Sequence, residues 1–451
     1  MSSTISRRKV VTGVAWSAPV IVASSAVPAF AASPTCEWDG RAAYSAFGTN
    51  TGAKTVQEFT IPAKVEKIRF EIIGGAGGAQ YPDVPAGSGA KVTGTIAVSE
   101  GQVVQIVAAA GGVGNMALTP SIGGEGYGNG GSSSLASPIP SGIISRVNER
   151  WSVTSSNKRI TYSASGGGSS ALLVDGTVMV IAGGGGGAGF INAGGANNEP
   201  NYMKPGAVDA GYLWPENALR NAFPVLGSTG GSASAVAGSA GNAGSLTRTA
   251  DTTQVTVVEA GGGGSAGTGG SGGSATVLPT GASTNGVIGY YSTNNQEIFS
   301  SSTAGAAGGN GFTGAGADGV GSYSYMIDNN DKSLGEPGTE NKPLEYSHIG
   351  YNFNGYQSVI SAGGGAGYGG GGSGASTSAV GIVLTQKWNN NPNGVRQNTD
   401  FGQLGGGGGA GGSYVAPSVL DSAVTAANNA PKGRGARGNG SVKVTFCRSV
   451  S

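Results

Sequence analysis

One unit recurs along this chain and limits what it can fold into: a short strand-like stretch that runs straight into consecutive glycines. Val65-Glu66-Lys67-Ile68-Arg69-Phe70-Glu71-Ile72-Ile73 leads into Gly74-Gly75-Ala76-Gly77-Gly78. Ile68, Phe70 and Ile72 fall on one side of it and Lys67, Arg69 and Glu71 on the other, the two-residue period of a half-buried strand. Residues 102–110 lead in the same way into Gly111-Gly112, 177–182 into 183–187, 254–260 into 261–264, and 358–362 into 363–365. A further run, 405–409, has no obvious strand before it. The spacing is irregular, so this is not a solenoid of fixed period.

A glycine run loses more conformational entropy on ordering than any other segment and has no side chain to bury in return. Alone it stays flexible; many runs abreast behave differently. Polyproline II geometry has three residues per turn and no internal hydrogen bonds, so every N–H and C=O points outward. Backbones without Cβ atoms then approach closely and bond sideways, with Cα–H···O contacts added. Inside such a bundle a Cβ collides, which restricts intruders to small residues such as Ala188, Ser265, Ala266, Ala366 and Ala410. A five-glycine run spans about 15 Å. The alternative is a flexible glycine–serine linker. Against it stand the apolar strands before the runs, the aromatic-containing segments between them, and a closing strand at 441–447 with Val442, Val444 and Phe446 on one face. The expected fold class is all-β: a sandwich-like strand base carrying a bundle of polyglycine II helices, with long polar loop insertions at 137–165, 190–226, 323–356 and 388–401.

Composition qualifies this picture. The chain has 451 residues, 89 of them glycine, yet only 11% are charged and the net charge is +1. Unpatterned glycine at this level points to low complexity, whereas disorder usually comes with high net charge. The first residues read as a signal peptide, residues 1–31. Ser6-Arg7-Arg8-Lys9 is a basic start, 10–26 is apolar, and Ala29-Phe30-Ala31 is a small-x-small site for cleavage before Ala32. The pair Arg7-Arg8 ahead of a weakly apolar core resembles a twin-arginine leader, with an ordinary Sec signal as the alternative. The apolar stretch is short and broken by Pro19 and Pro28, so no transmembrane anchor is expected. The tail 448–451 carries no sorting motif, and 32–451 is read as one domain, secreted or held at the cell envelope. Without the leader's three basic residues, the 25 Lys and Arg become 22 against 24 acids. Nothing there steers the protein to nucleic acid or an anionic membrane. Cys36 and Cys447 lie at the two extremities, and in an exported chain such a pair reads as one disulfide closing the domain. Chain-entropy reasoning assigns so long a loop about 5–6 kcal/mol. The alternative is two unrelated thiols.

Residues 87–112 read GSGAKVTGTIAVSEGQVVQIVAAAGG, followed by GNGGSS at 128–133, GGGSSALLV at 166–174, and VMVIA at 178–182 before five glycines. This order resembles the glycine-rich domain of the anaplastic lymphoma kinase and leukocyte tyrosine kinase receptors and of its bacterial relatives. Phe59-Thr60-Ile61-Pro62-Ala63 and the ending GARGNGSVKV at 435–444 resemble bacterial glycine-rich secreted proteins. The resemblance implies polyglycine II helices packed on a β-rich base, as in phage tail-fibre tip adhesins, serving as a ligand-binding module. It transfers no binding residues.

Glycine abundance also produces motifs without their chemistry. The stretch 126–131 fits G-x-G-x-x-G but lacks a following helix pattern and an acidic partner. The string 269–273 fits a nucleophile elbow without strand–turn–helix context. His348 is the single histidine, so a multi-histidine metal site is impossible and a Ser-His-Asp triad would have to use it. Asp328, Asp331, Glu336, Glu340 and Glu345 form the densest acidic cluster, with spacing unlike a calcium loop. Lys432-Gly433-Arg434-Gly435-Ala436-Arg437 is similar to an RNA-binding segment, but lies just before the last strand. No catalytic residue, cofactor or metal is assigned. The expectation is a non-catalytic binding or structural protein that meets an extracellular protein or glycan through aromatic insertions: Tyr202, Trp214, Tyr351, Phe353, Tyr356 and Trp388. The alternatives are a self-associating envelope-matrix protein and a secreted carbohydrate-active enzyme working through paired carboxylates.

Overall fold

A computed structural model describes residues 36–80, 85–114, 119–135, 138–142, 144–145, 158–194, 244–247, 254–275, 296–299, 301–328, 355–388, 391–433 and 435–449. Arg7, Arg8, Ala31 and Ala32 lie outside the described residues. The structure is all-β. Its strands are β1 (Cys36–Trp38), β2 (Tyr44–Phe47), β3 (Thr55–Thr60), β4 (Val65–Ile73), β5 (Ala90–Ala97), β6 (Val103–Ala108), β7 (Lys158–Tyr162), β8 (Ser170–Val174), β9 (Thr177–Ala182) and β10 (Phe190–Gly194). They continue with β11 (Gly244–Thr247), β12 (Gln254–Val258), β13 (Gln296–Phe299), β14 (Ser301–Thr303), β15 (Gly321–Asp328), β16 (Gly355–Ile360), β17 (Ser376–Trp388), β18 (Asn391–Gly405), β19 (Tyr414–Val415), β20 (Leu420–Ala426) and β21 (Ser441–Ser449). No helix among the described residues is long and apolar enough to cross a membrane.

The first sheet has the order β1-β21-β4-β5-β20, with β2 also paired to β21. The second has the order β19-β9-β8-β6-β3. Alternation decides how they meet. Ile68, Phe70, Ile72, Val92, Val442, Val444 and Phe446 of the first sheet share one buried cluster with Phe59, Val104, Ile106, Leu172 and Val180 of the second. Full burial of each such side chain is worth about 1.5–3 kcal/mol, so this sandwich is the apolar anchor of the molecule. Cys36 and Cys447 form a disulfide with Cα atoms 5.3 Å apart, and β1 pairs antiparallel with β21. The first and last strands are neighbours, as the cysteine positions suggested.

Two further sheets, β10-β18-β17-β14 and β13-β15-β16-β7, meet through buried hydroxyls beside one apolar contact, Phe190 on Val359. The Ser322 and Ser376 hydroxyls lie 2.8 Å apart, as do those of Ser324 and Ser378, and all four residues are fully buried. For the stretch 388–401 this corrects the reading as a loop, because it belongs to the β17–β18 hairpin. The other three insertions begin or end in β7, β10, β15 and β16, and most of their remaining residues lie outside the described ones. A sheet face that packs through serine shows no hydrophobic period, so the two-residue signal was missing from the sequence.

The glycine runs at 74–78, 183–187, 363–367 and 405–412 are buried and bonded sideways. In the run 362–368, the N–H groups of Ala362, Gly365 and Tyr368 donate to the carbonyls of Gly406, Gly409 and Gly412. Those of Gly363 and Ala366 donate to Ala164 and Gly167, and those of Gly364 and Gly367 to Ala317 and Gly314, all at 2.8–3.2 Å. Donors three residues apart thus reach the same neighbour, which runs parallel in the first two cases and antiparallel in the third. The run's own carbonyls accept from another set: Gly187 and Gly184, Gly374 and Gly371, and Gly131. This is no free linker. A Cβ built on Gly364 would sit 2.0 Å from the carbonyl oxygen of Gly371, and one on Gly408 2.0 Å from that of Gly363.

Small intruders follow two rules. Ala188, Ala366 and Ala410 are fully buried within the runs. Ser265 and Ala266 are not in the bundle interior: Ser265 and Thr268 exchange backbone hydrogen bonds across a reversal, and Ala266 has φ 47°. Where a run meets a strand, serine hydroxyls complete the network. Ser170 Oγ accepts from Ala109 N–H and donates to the Ile73 carbonyl, and Ser413 Oγ accepts from Gly183 N–H. Asn429 does the same at the rim, accepting from Gly89 N–H and donating to the Gly74 carbonyl.

Candidate functional site

Of the six aromatic residues singled out from the sequence, Tyr202, Trp214, Tyr351 and Phe353 lie outside the described residues. Tyr356 is a strand residue of β16 paired with Tyr325, and Trp388 closes β17 opposite Asn391. The hairpin and ladder hold both, so neither stands in a loop. His348 and the acidic cluster lie outside the described residues too, apart from Asp328 at the end of β15. The stretch 126–131 is part of the lattice: Gly130 N–H donates to the Gly124 carbonyl and Gly131 N–H to that of Gly364. Arg437 donates to the Gly111 carbonyl, and burial lowers its pKa from the usual guanidinium value.

A groove of about 650 Å³ lies on the outward face of the first sheet. The alternation that buries Ile68, Phe70 and Ile72 turns Arg69 and Glu71 outward. Register then builds the floor: Arg69 stands between Thr95 and Thr445, and Glu71 between Thr93 and Lys443. Trp38 of β1 and Asp421 of β20 stand at the two ends of the strand order. The Arg69 guanidinium lies over the Trp38 ring, 4.7 Å from its centroid, a cation–π contact that orients its planar fork. Arg69 has no carboxylate partner among the described residues.

Glu71 is engaged instead. Lys91 Nζ lies 2.6 Å from one of its oxygens and Lys443 Nζ 3.4 Å from the other. The hydrogen bond from Lys91 holds its pKa below the usual carboxylate value; partial burial opposes this, and the charges of Lys91 and Lys443 add to the lowering. Glu71 therefore stays ionised, an acceptor rather than a proton donor. The chemistry on display is recognition chemistry: an oriented guanidinium, a fixed carboxylate, an indole and a row of hydroxyls.

A second surface lies where glycine runs end over the second sheet. Phe312, Tyr368 and Tyr414 have ring centroids 5.0 Å apart in each pairing. Tyr368 and Tyr414, with Tyr127, pack on Val107, Leu173 and Ile181. Phe312 remains 40% exposed. Sequence reasoning gave no role to the four rings. The available signal was position: Tyr127 and Tyr368 each stand between two glycines, where the bundle has no room for a ring, so the ring must leave it. The groove had no such signal, because Arg69 meets Thr445 only through a pairing some 370 residues apart in sequence.

No protein-family model matches the chain, and no curated protein is significantly similar to it.

Proposed function

We propose that this chain is a non-catalytic exported protein of the cell surface or the surrounding medium, which binds an extracellular ligand. The outward face of the disulfide-closed sheet would be the contact surface, and the glycine bundle, in polyglycine II form, its stiff support. The twin-arginine-like leader, the disulfide, which suits an oxidising compartment, and the resemblance to receptor glycine-rich domains all support export and binding. The observation that carries the reading is Arg69, pinned on Trp38 in an open groove with no carboxylate partner among the described residues. The test is an array of immobilised glycans and peptides probed with the mature chain. Trp38→Ala and Arg69→Ala should each weaken the captured signal by about tenfold or more while leaving the circular dichroism spectrum unchanged. A signal unaffected by both would remove the groove from the function.

Self-association is a second reading, favoured by one edge of the bundle. Ala304, Ala307 and Asn310 are exposed, and among the described residues nothing accepts from their N–H groups. Their three-residue spacing matches the donor period inside the bundle, and the lattice accepts neighbours in either direction. Sedimentation of the mature chain at rising concentration checks this: assembly abolished by Ala307→Pro would support it, and a monomer throughout would end it.

A further inference from the structure

Resting on the groove being a binding site, we infer that its ligand is an acidic polysaccharide of low charge density, carrying one carboxylate on a hydroxyl-rich sugar. Five observations point the same way. Arg69 offers a planar set of donors that suits a carboxylate bidentately, and its stacking on Trp38 fixes that plane before any ligand arrives. Glu71 is already neutralised by Lys91 and Lys443, which leaves Arg69 as the cation in need of an anion.

The neighbours of Arg69 are hydroxyls on both sides, Thr95 and Thr445. A hydroxyl both donates and accepts, which matches a sugar ring's alcohols better than an aliphatic peptide side chain or a lipid tail. The groove also crosses the sheet from β1 to β20. Four strand spacings make this roughly 19 Å, longer than one sugar ring, so the occupant is an oligomer lying across the strands. Finally, the lining is mixed in sign. Asp421 stands in the same groove as Arg69, so a densely sulfated chain meets repulsion at that end where a chain with spaced carboxylates does not.

The experiment titrates the mature chain with an acidic tetrasaccharide in which uronate alternates with a neutral N-acetylated sugar and, in parallel, with its neutral methyl ester. Calorimetry gives affinity, and the Trp38 indole resonance, assigned by its loss in Trp38→Phe, reports location. The acid should bind and shift that resonance, the ester should bind at least about tenfold more weakly, and Arg69→Lys, which keeps the charge but loses the fork, should weaken the acid by about tenfold. Equal binding of acid and ester would overturn the inference while leaving the groove a binding site. So would tighter binding of a heparin-like sulfated chain. If the acid leaves Trp38 unmoved while a ligand of another class moves it, the acidic-sugar assignment fails and the binding site stands. If nothing captured on the arrays moves Trp38, the groove itself fails.

Discussion

At the scale of single residues, the lattice is governed by where a carbonyl oxygen sits. The Cβ of an alanine at position 364 would meet a backbone oxygen at 2.0 Å, and a backbone fixed by hydrogen bonds on several sides cannot give way as a side chain would. Gly364→Ala should therefore cost at least the roughly 1–3 kcal/mol of an overpacked core, read as a lowered urea midpoint. Gly433, whose added Cβ would meet nothing within 4 Å, is the matched control and should change stability by no more than about 0.5 kcal/mol. Equal effects at both positions would mean that the runs are not packed as described. Glu71 permits a second check. Its pKa is lowered in the fold, so its contribution is present above the unfolded carboxylate pKa and fades as pH falls through the lower folded value. Lys91→Met should move the Glu71 carboxyl titration, followed by NMR, up towards the ordinary value. A midpoint that stays where it was would show that Lys91 is not the main cause.

At the scale of elements, the disulfide holds a strand of only three residues. Beyond Cys36, β1 keeps its place through antiparallel pairing with β21. Replacing Cys36 and Cys447 by serine should lower stability by up to the roughly 5–6 kcal/mol that chain entropy assigns to a loop of this length, read as a lower melting temperature. It should also speed amide exchange at Glu37 and Trp38 before the rest of the sheet. Unchanged exchange there would show that pairing alone secures β1, and that the Trp38 plate under Arg69 does not depend on the bridge. Strands such as β4 and β21 were legible in the sequence because their buried faces are hydrocarbon and alternate with polar residues. Strands β15 and β17 were not, since Ser322, Ser324, Ser376 and Ser378 make a polar interface in which inward and outward residues look alike. The candidate groove was the least legible feature. Arg69 could be placed on the outward side of its strand, but Thr95, Thr445 and Trp38 reach it through sheet order, which a two-residue period does not encode.

At the scale of the whole molecule, two kinds of interior share one chain: a hydrocarbon sandwich and a lattice of backbone. They leave different thermodynamic traces. Unfolding exposes apolar surface, which raises heat capacity, and polar surface, which lowers it. In the lattice, what becomes exposed is chiefly N–H, C=O and Cα, with few side chains beyond Ala188, Ala366 and Ala410. The heat-capacity change per residue of the mature chain should therefore fall below the about 12–15 cal/mol/K of ordinary domains, giving a flatter stability curve. Low heat capacity alone would also be seen if the runs were loose threads that contribute nothing on unfolding, so a second measurement has to accompany it. Amide exchange separates the two cases: lattice amides such as Gly365, Gly185 and Gly409 should exchange as slowly as those of β4 and as one cooperative unit with them, whereas threads exchange at the free rate. A low heat-capacity change with slow glycine exchange is the joint signature of a bonded lattice. Fast exchange at those glycines would remove the support on which the outward sheet face is held, and an ordinary heat-capacity change would mean that side chains, not backbone, make up the interior that melts.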